Sequence, residues 1–364
     1  MKLEYFAPGV SPAPNSLKLH RRGVELGWIG FFDSASMPAA ETVIQAWHAH
    51  SAVLLPGMLN DALAGLTEQL AQSQLLMNQI LEGEELSELF EQSCYSERLT
   101  PDFELTGASF EDHDDQGIEK VYFDCWREDE LIADDLWCKA SWLSLEDDDP
   151  SLRFRFSFGM EGYEDVASDH ERQLCAARLT DAIFPESSAI TAHVKLNALL
   201  GQVLDGAPPV YTERIVYFNA PNGGAQMHHD VERGHEGVVF AQLSGATFWL
   251  ALSKDRLIDE IKAYLDTQAG ENWTLLRDLL KDREQFAHYL EDEHELAEDL
   301  MDRHPDFFRY LIDKQYAYIL KPGDVLLLPQ AGLDTCVWHS VLCLGDETGE
   351  ALSFALKKAA DDAV

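Results

Sequence analysis

The stretch VYFNAPNGGAQMHHDVERGHEGVVFAQLSGATFWLALS, Val216 to Ser253, is two apolar runs joined by a polar turn. Pro221, Asn222, Gly223 and Gly224 are turn-forming residues, so the first run ends there as a strand. The second run is almost wholly apolar from Gly237 to Ser253 and reads as a return to sheet. Between the two lie His228, His229, Asp230 and His235. Residues i and i+2 of an extended segment project to one side, so His228 and Asp230 can grip a single ion while His229 points away.

Further strands flank this segment. VYTERIVYFNA (210–220) leads into it, and QYAYILKPGDVLLLP (315–329), CVWHSVLCL (336–344) and ALSFALKK (351–358) follow a charged helical insert spanning 254–313. Strands that resume after so long an insert argue for a β-barrel or sandwich rather than a parallel α/β sheet. The first half is more mixed. A short buried strand in HSAVLLPG (50–57) precedes apolar residues at helical spacing over 60–92. Alternating apolar and polar residues over 119–160 predict a strand followed by a hairpin with the acidic loop EDDDP at 146–150. Helices are expected over 169–183 and 188–205, the latter ending at Gly206. The class is therefore α+β, with a helical and hairpin region over 1–206 packing on a strand-rich core over 207–364.

Charge narrows the partners. With 27 Lys and Arg against 65 Asp and Glu, the formal charge is −38, a field that repels phosphate backbones and excludes nucleic acid as a natural partner. A small cationic molecule or a basic protein or peptide remains compatible. No run of apolar residues has the length of a membrane helix, and MKLEYFAPGVSPAPNS lacks a signal-peptide core, so a soluble, cytoplasmic protein is expected. Six cysteines without CxxC spacing read as reduced thiols.

H-x-D spacing is not itself informative here, because it occurs three times: His113/Asp115, His228/Asp230 and His304/Asp306. Context separates them. FEDHDDQG and MDRHPDFF are polar or helix-end surroundings that suit solvated histidines, whereas His228 follows an apolar strand and a Gly-Gly turn. A third ligand must come from elsewhere, and His339 on the late strand CVWHSVLCL is the best candidate; alone, it would read as a core histidine beside Trp338. Two imidazoles and one carboxylate on one side of an ion form the ligand set of non-haem Fe(II) oxygenases. His235 reads as a loop residue, with a fourth ligand or substrate contact as the alternative, and His48 and His50 read as structural.

VYFNAPNGGAQMHHD, FAQLSGATFWLAL, KPGDVLLLP and WHSV together resemble the double-stranded β-helix core (jelly-roll, cupin-like) of the JmjC-type Fe(II)/2-oxoglutarate oxygenases, from Val210 to Lys358 around the insert. The ordered block GD…P…WH is its most specific part. The resemblance implies His228, Asp230 and His339 as iron ligands, 2-oxoglutarate as co-substrate, and dioxygenase chemistry that hydroxylates an unactivated C–H bond. An amino acid, a metabolite or a side chain of a basic protein would be the substrate.

The chain departs from the family pattern at three places. Thr247 stands where a lysine often pairs with the far carboxylate of 2-oxoglutarate, Ala225 where a hydroxyl residue is common, and the loop from Pro329 to His339 is long. A buried carboxylate needs a cation or several donors, so another positive group should reach the site. Lys357 is the first candidate and Arg214 the second. The departures also leave open a cupin-like metalloenzyme that does not use 2-oxoglutarate, or a barrel that binds without turnover. The insert is expected to cover the barrel mouth or form a homodimer contact.

Overall fold

The computed structural model describes residues 3–21, 24–30, 36–113, 116–143, 153–160, 169–220, 223–232, 234–268, 273–292 and 294–359. The acidic loop at 146–150 and Asp115 lie outside them. Among the described residues there are three antiparallel sheets. The strands are β1 (Glu4–Phe6), β2 (Leu17–Arg21), β3 (Val24–Gly30), β4 (Val53–Leu55), β5 (Phe103–His113), β6 (Gln116–Arg127), β7 (Glu130–Leu143), β8 (Arg153–Met160), β9 (Pro209–Asn219), β10 (Gly224–His228), β11 (Gly237–Gln242), β12 (Ala246–Ser253), β13 (Ala317–Leu320), β14 (Val325–Pro329), β15 (Val337–Leu344) and β16 (Gly349–Lys358).

β1, β3 and β2 form a small sheet of their own. The strands from β9 to β16 distribute between the other two. A four-stranded sheet has the order β10-β15-β12-β13, and a nine-stranded sheet has the order β4-β14-β11-β16-β9-β8-β7-β6-β5. Val238, Phe240, Leu326, Leu328 and Ala351 of the larger sheet share one core with Trp249, Ala251, Leu320, Val337 and Val341 of the smaller. The two sheets therefore pack face to face as a sandwich. Every residue of β11, β14 and β15 is buried, which explains why these strands read as continuous apolar runs. Their outer faces are covered too. Val239, Leu327, Leu352 and Phe354 face the helices of the first half, while Phe248, Leu250, Trp338 and Leu342 face the insert and the first sheet.

Several elements differ from expectation. The hairpin region is a four-strand meander, because FELTGASFEDH, despite its polar content, pairs along β6 from Phe103↔Cys125 to His113↔Gln116. The helix over 188–205 is two, Glu186–Thr191 and Val194–Val203, and the His193 side chain accepts from Leu196 N (3.3 Å) to cap the second. The insert folds as the helices Lys254–Thr267, Thr274–Leu279, Arg283–Asp292, Glu295–Arg303 and Pro305–Asp313. It lies against the outer face of the small sheet, its Ile261, Phe286, Leu300 and Phe308 sharing a core with that face. No described helix is long and apolar enough to cross a membrane, and all six cysteines are free thiols.

Candidate metal centre

Register assembles the site. β10 and β15 pair antiparallel with His228 opposite His339, after a bulge that follows Ala225. Residues directly opposite in such a pair project to the same face, and the two imidazole centroids stand 4.2 Å apart. The pairing begins at Gly224, whose φ of +128° and approach to the Val341 carbonyl leave no room for a side chain: a Cβ there would lie 2.0 Å from that oxygen. Just past β10, Asp230 turns its carboxylate between the two rings, with Oδ1 3.5 Å from His228 Nε2 and Oδ2 3.3 Å from His339 Nε2. One ligand atom from each of the three lies within 4.8 Å of the others, close enough to hold one ion.

The remaining ring nitrogens are oriented from behind. His228 Nδ1 donates to the Gln226 carbonyl (2.7 Å) and His339 Nδ1 faces the Val337 carbonyl (3.5 Å), so each Nε2 is turned toward Asp230. Burial pushes the His339 pKa down to about 4, helped by the neighbouring His228, so this imidazole is neutral at pH 7. Burial also penalises charge on Asp230, but the His339 and His228 rings outweigh it and hold the carboxyl well below the usual carboxylate range. At His228 burial disfavours the cation, yet the Asp230 carboxylate overcomes this and raises the pKa. Trp249 stacks on His339 with centroids 5.2 Å apart and fixes that ring's plane.

His229 points away, as the two-residue period requires. Its Nε2 meets Glu291 Oε2 at 2.7 Å, and Lys254 holds the other oxygen of Glu291 at 2.7 Å. Asp302 accepts from Met227 N at 2.9 and 3.1 Å, and Glu298 accepts from Gln226. The insert thus grips β10 from its outer side.

A cavity of about 290 Å³ opens on the triad, lined by apolar Ile215, Val238, Phe240, Trp249, Leu328 and Val341 and by polar Arg155, Tyr217, Asn219, Glu232 and Ser353. Arg155 is the one Lys or Arg among the described residues that lines it. It arrives on β8, opposite Tyr217 of β9, and its Nε donates to Ser141 Oγ at 3.2 Å. Asn219 is buried, and its Nδ2 has no hydrogen-bond partner.

Of the three positions weighed for 2-oxoglutarate, Arg214, Thr247 and Lys357, none lines this cavity. Arg214 faces the opposite side of β9 from Ile215 and Tyr217; it donates to the Ala177 carbonyl (3.2 Å) and Ser187 Oγ (2.9 Å) and pairs with Asp181 under the helices. Thr247 is wholly buried, donating to Gln242 Oε1 (2.8 Å) and accepting from Trp249 Nε1 (2.9 Å), and does not line the cavity. Lys357 also lies outside the cavity lining and acts electrostatically on Glu213. Arg155 is the cation sequence reasoning missed, and the one available signal was the alternation of Arg and Phe in RFRF. The other H-x-D histidine within the described side chains, His304, caps the Pro305–Asp313 helix.

His235 lies in a loop, as expected, and is buried there. Its Nε2 stands 3.3 Å from Glu213 Oε1. Burial and the adjoining Glu213 carboxylate push Glu232 up to about 7.

No protein-family profile and no curated protein matches this chain. Among solved structures, an oxidoreductase of the 2OG-Fe(II) oxygenase family from Burkholderia pseudomallei aligns over 90% of this chain and 94% of its own, at 9% identity and a TM-score of 0.30. YcfD, a ribosomal oxygenase from Escherichia coli, aligns over 68% of this chain but 41% of its own, at 13% identity and a TM-score of 0.24. At these scores neither likeness assigns a family.

Proposed function

We propose that this protein is a non-haem Fe(II) oxygenase that consumes 2-oxoglutarate and O₂ and hydroxylates a C–H bond, with β9 to β16 forming a double-stranded β-helix. The observation that carries the reading is the convergence of His228, Asp230 and His339 on one point at the wall of a cavity lined by both apolar and polar side chains. The donor set fits iron: two imidazoles oriented by backbone carbonyls and one ionised carboxylate would hold the ion, a ligand set that suits Fe(II) chemistry with a 2-oxo acid and O₂. Bound there, Fe(II) would supply the redox chemistry that couples decarboxylation of the 2-oxo acid to substrate oxidation.

The chain's own residues do the rest. Arg155 supplies the positive charge for the far carboxylate of 2-oxoglutarate, and the Asn219 amide and Ser353 hydroxyl line the same cavity as additional donors. Phe240, Trp249, Val238 and Leu328 give the reacting atoms an apolar wall. The balance is 2-oxoglutarate, O₂ and R–H giving succinate, CO₂ and R–OH. The substrate is an amino acid, a metabolite or a side chain of a basic protein, in keeping with a surface of net charge −38.

The test is an oxygen-free titration of the Fe(II)-loaded protein with 2-oxoglutarate, followed by the visible absorption of the chelate, then succinate release on admitting O₂. Chelate absorption in the native protein and its loss in His228→Ala and Asp230→Ala are expected. Iron binding without chelate absorption or succinate would reject the 2-oxoglutarate chemistry.

A further inference from the structure

A second group of metal-competent donors adjoins the first. β9 is bulged where it meets β16: Thr212 pairs with Ala355 and Arg214 with Phe354, so Glu213 is an extra residue without a partner in the ladder. Such bulges re-aim a side chain. The Glu213 carboxylate meets His235, which follows the His228–Asp230 segment, and lies close to Glu232, two residues beyond Asp230. Ligand atoms of Glu213, Glu232 and His235 all lie within 4.8 Å of one another.

His235 makes this more than an acidic patch. Its side chain is only 2% exposed, and its Nε2 faces Glu213 Oε1 at 3.3 Å without the alignment of a hydrogen bond. A buried ring nitrogen left in that state is costly unless something binds it. An imidazole and two carboxylates are also a donor set for a divalent ion. Bonds of about 2.0–2.2 Å place donors on a shared ion up to about 4.4 Å apart, so small side-chain rotations would close the group on one.

We propose that Glu213, Glu232 and His235 bind a second divalent cation of the Zn²⁺ or Mn²⁺ class, separate from the ion at His228, Asp230 and His339. Glu232 lines the same cavity as the triad, so the second ion sits at the border of that cavity and presents a fixed positive charge to whatever enters. The proposal stands whether or not the triad performs oxygenase chemistry.

The experiment counts ions. Full-length protein is stripped with chelator, dialysed against Zn(II) or Mn(II), and assayed for metal per chain, in native form and as Glu213→Gln, His235→Gln and His228→Ala. Two equivalents are expected in the native protein, one in each single variant, and none in His228→Ala combined with Glu213→Gln. Circular dichroism spectra matching the native protein establish that a lost equivalent is not lost fold, and the two substitutions at the second group check each other. One native equivalent that disappears in His228→Ala and persists in Glu213→Gln and His235→Gln would overturn the second site while leaving the triad intact. Two equivalents retained in both of those variants would also overturn it, by placing the second ion elsewhere.

Discussion

Replacing Arg155 by Leu separates co-substrate binding from metal binding. The Arg155 Nε is held by Ser141 Oγ, which leaves the outer guanidinium nitrogens for a cavity ligand. A hydrogen bond to a charged group contributes about 1.5–3 kcal/mol, and Asn219 and Ser353 remain as neutral donors in the variant. The net loss should be about 2–3 kcal/mol, a rise of roughly 30- to 150-fold in the 2-oxoglutarate dissociation constant. Arg155→Lys keeps the charge but loses the planar fork and should fall between. The assay is the oxygen-free chelate titration, run beside an Fe(II) titration of the same samples. Iron affinity should be unchanged, since Arg155 is not among the three converging ligands. Unaltered 2-oxoglutarate affinity in Arg155→Leu would refute the assignment, as would an equal weakening of iron, which would mark Arg155 as structural.

Arg214→Leu should do the reverse: it strands Asp181 and Ser187, costing about 2–3 kcal/mol of stability in denaturant unfolding, with 2-oxoglutarate affinity preserved. Gly224→Ala forces a Cβ onto the Val341 carbonyl at a positive φ, so β10 should shift against β15 and metal affinity fall at least about tenfold by equilibrium dialysis; native affinity would show that the His228–His339 register does not depend on that approach. Glu350 and Glu186 are buried together, and burial followed by their mutual repulsion raises Glu350 well above the ordinary range; burial raises Glu186 as well. Their folded pKa values exceed the unfolded ones, so the associated stability is complete below the ordinary carboxylate range and is lost as pH rises through it toward the folded values. The melting temperature should therefore drop as pH rises above the ordinary carboxylate range, and less steeply in Glu350→Gln; equal slopes would remove the pair as the cause.

The strand periods carry much of the site in plain view. His228 and Asp230 share a side because they are two apart, and His339 stands in an apolar run that has to be a buried strand. What local pattern cannot supply is register across 111 positions of chain, and that pairing makes the two imidazoles neighbours. Parity also exposes the error over Arg214: if Tyr217 faces inward, its neighbours at odd numbers do too, and Arg214 faces the helices. Arg155 was hidden differently. Its alternation with Phe154 and Phe156 shows that it lies opposite the aromatic face, but whether that face meets water or a cavity depends on β8 lying beside β9. The insert's position against the outer face of the small sheet was equally hidden, because an amphipathic helix announces that it has an apolar side and not which surface receives it.

The placement of β8 bears on how this molecule can be divided. Cut at 206/207, the chain yields a C-terminal piece holding every strand from β9 onward and all three converging ligands, yet lacking Arg155 and leaving the β9 edge without its neighbour. On the proposed reading such a piece would keep the three iron ligands while losing the cation for the 2-oxo acid, and its bare strand edge would invite self-pairing. On the proposed reading, the residue that receives the acid and the residues that hold the metal lie on opposite sides of the point where the sequence looks most separable, so a chimera that exchanges the N-terminal half should change which acid is accepted before it changes which metal is held.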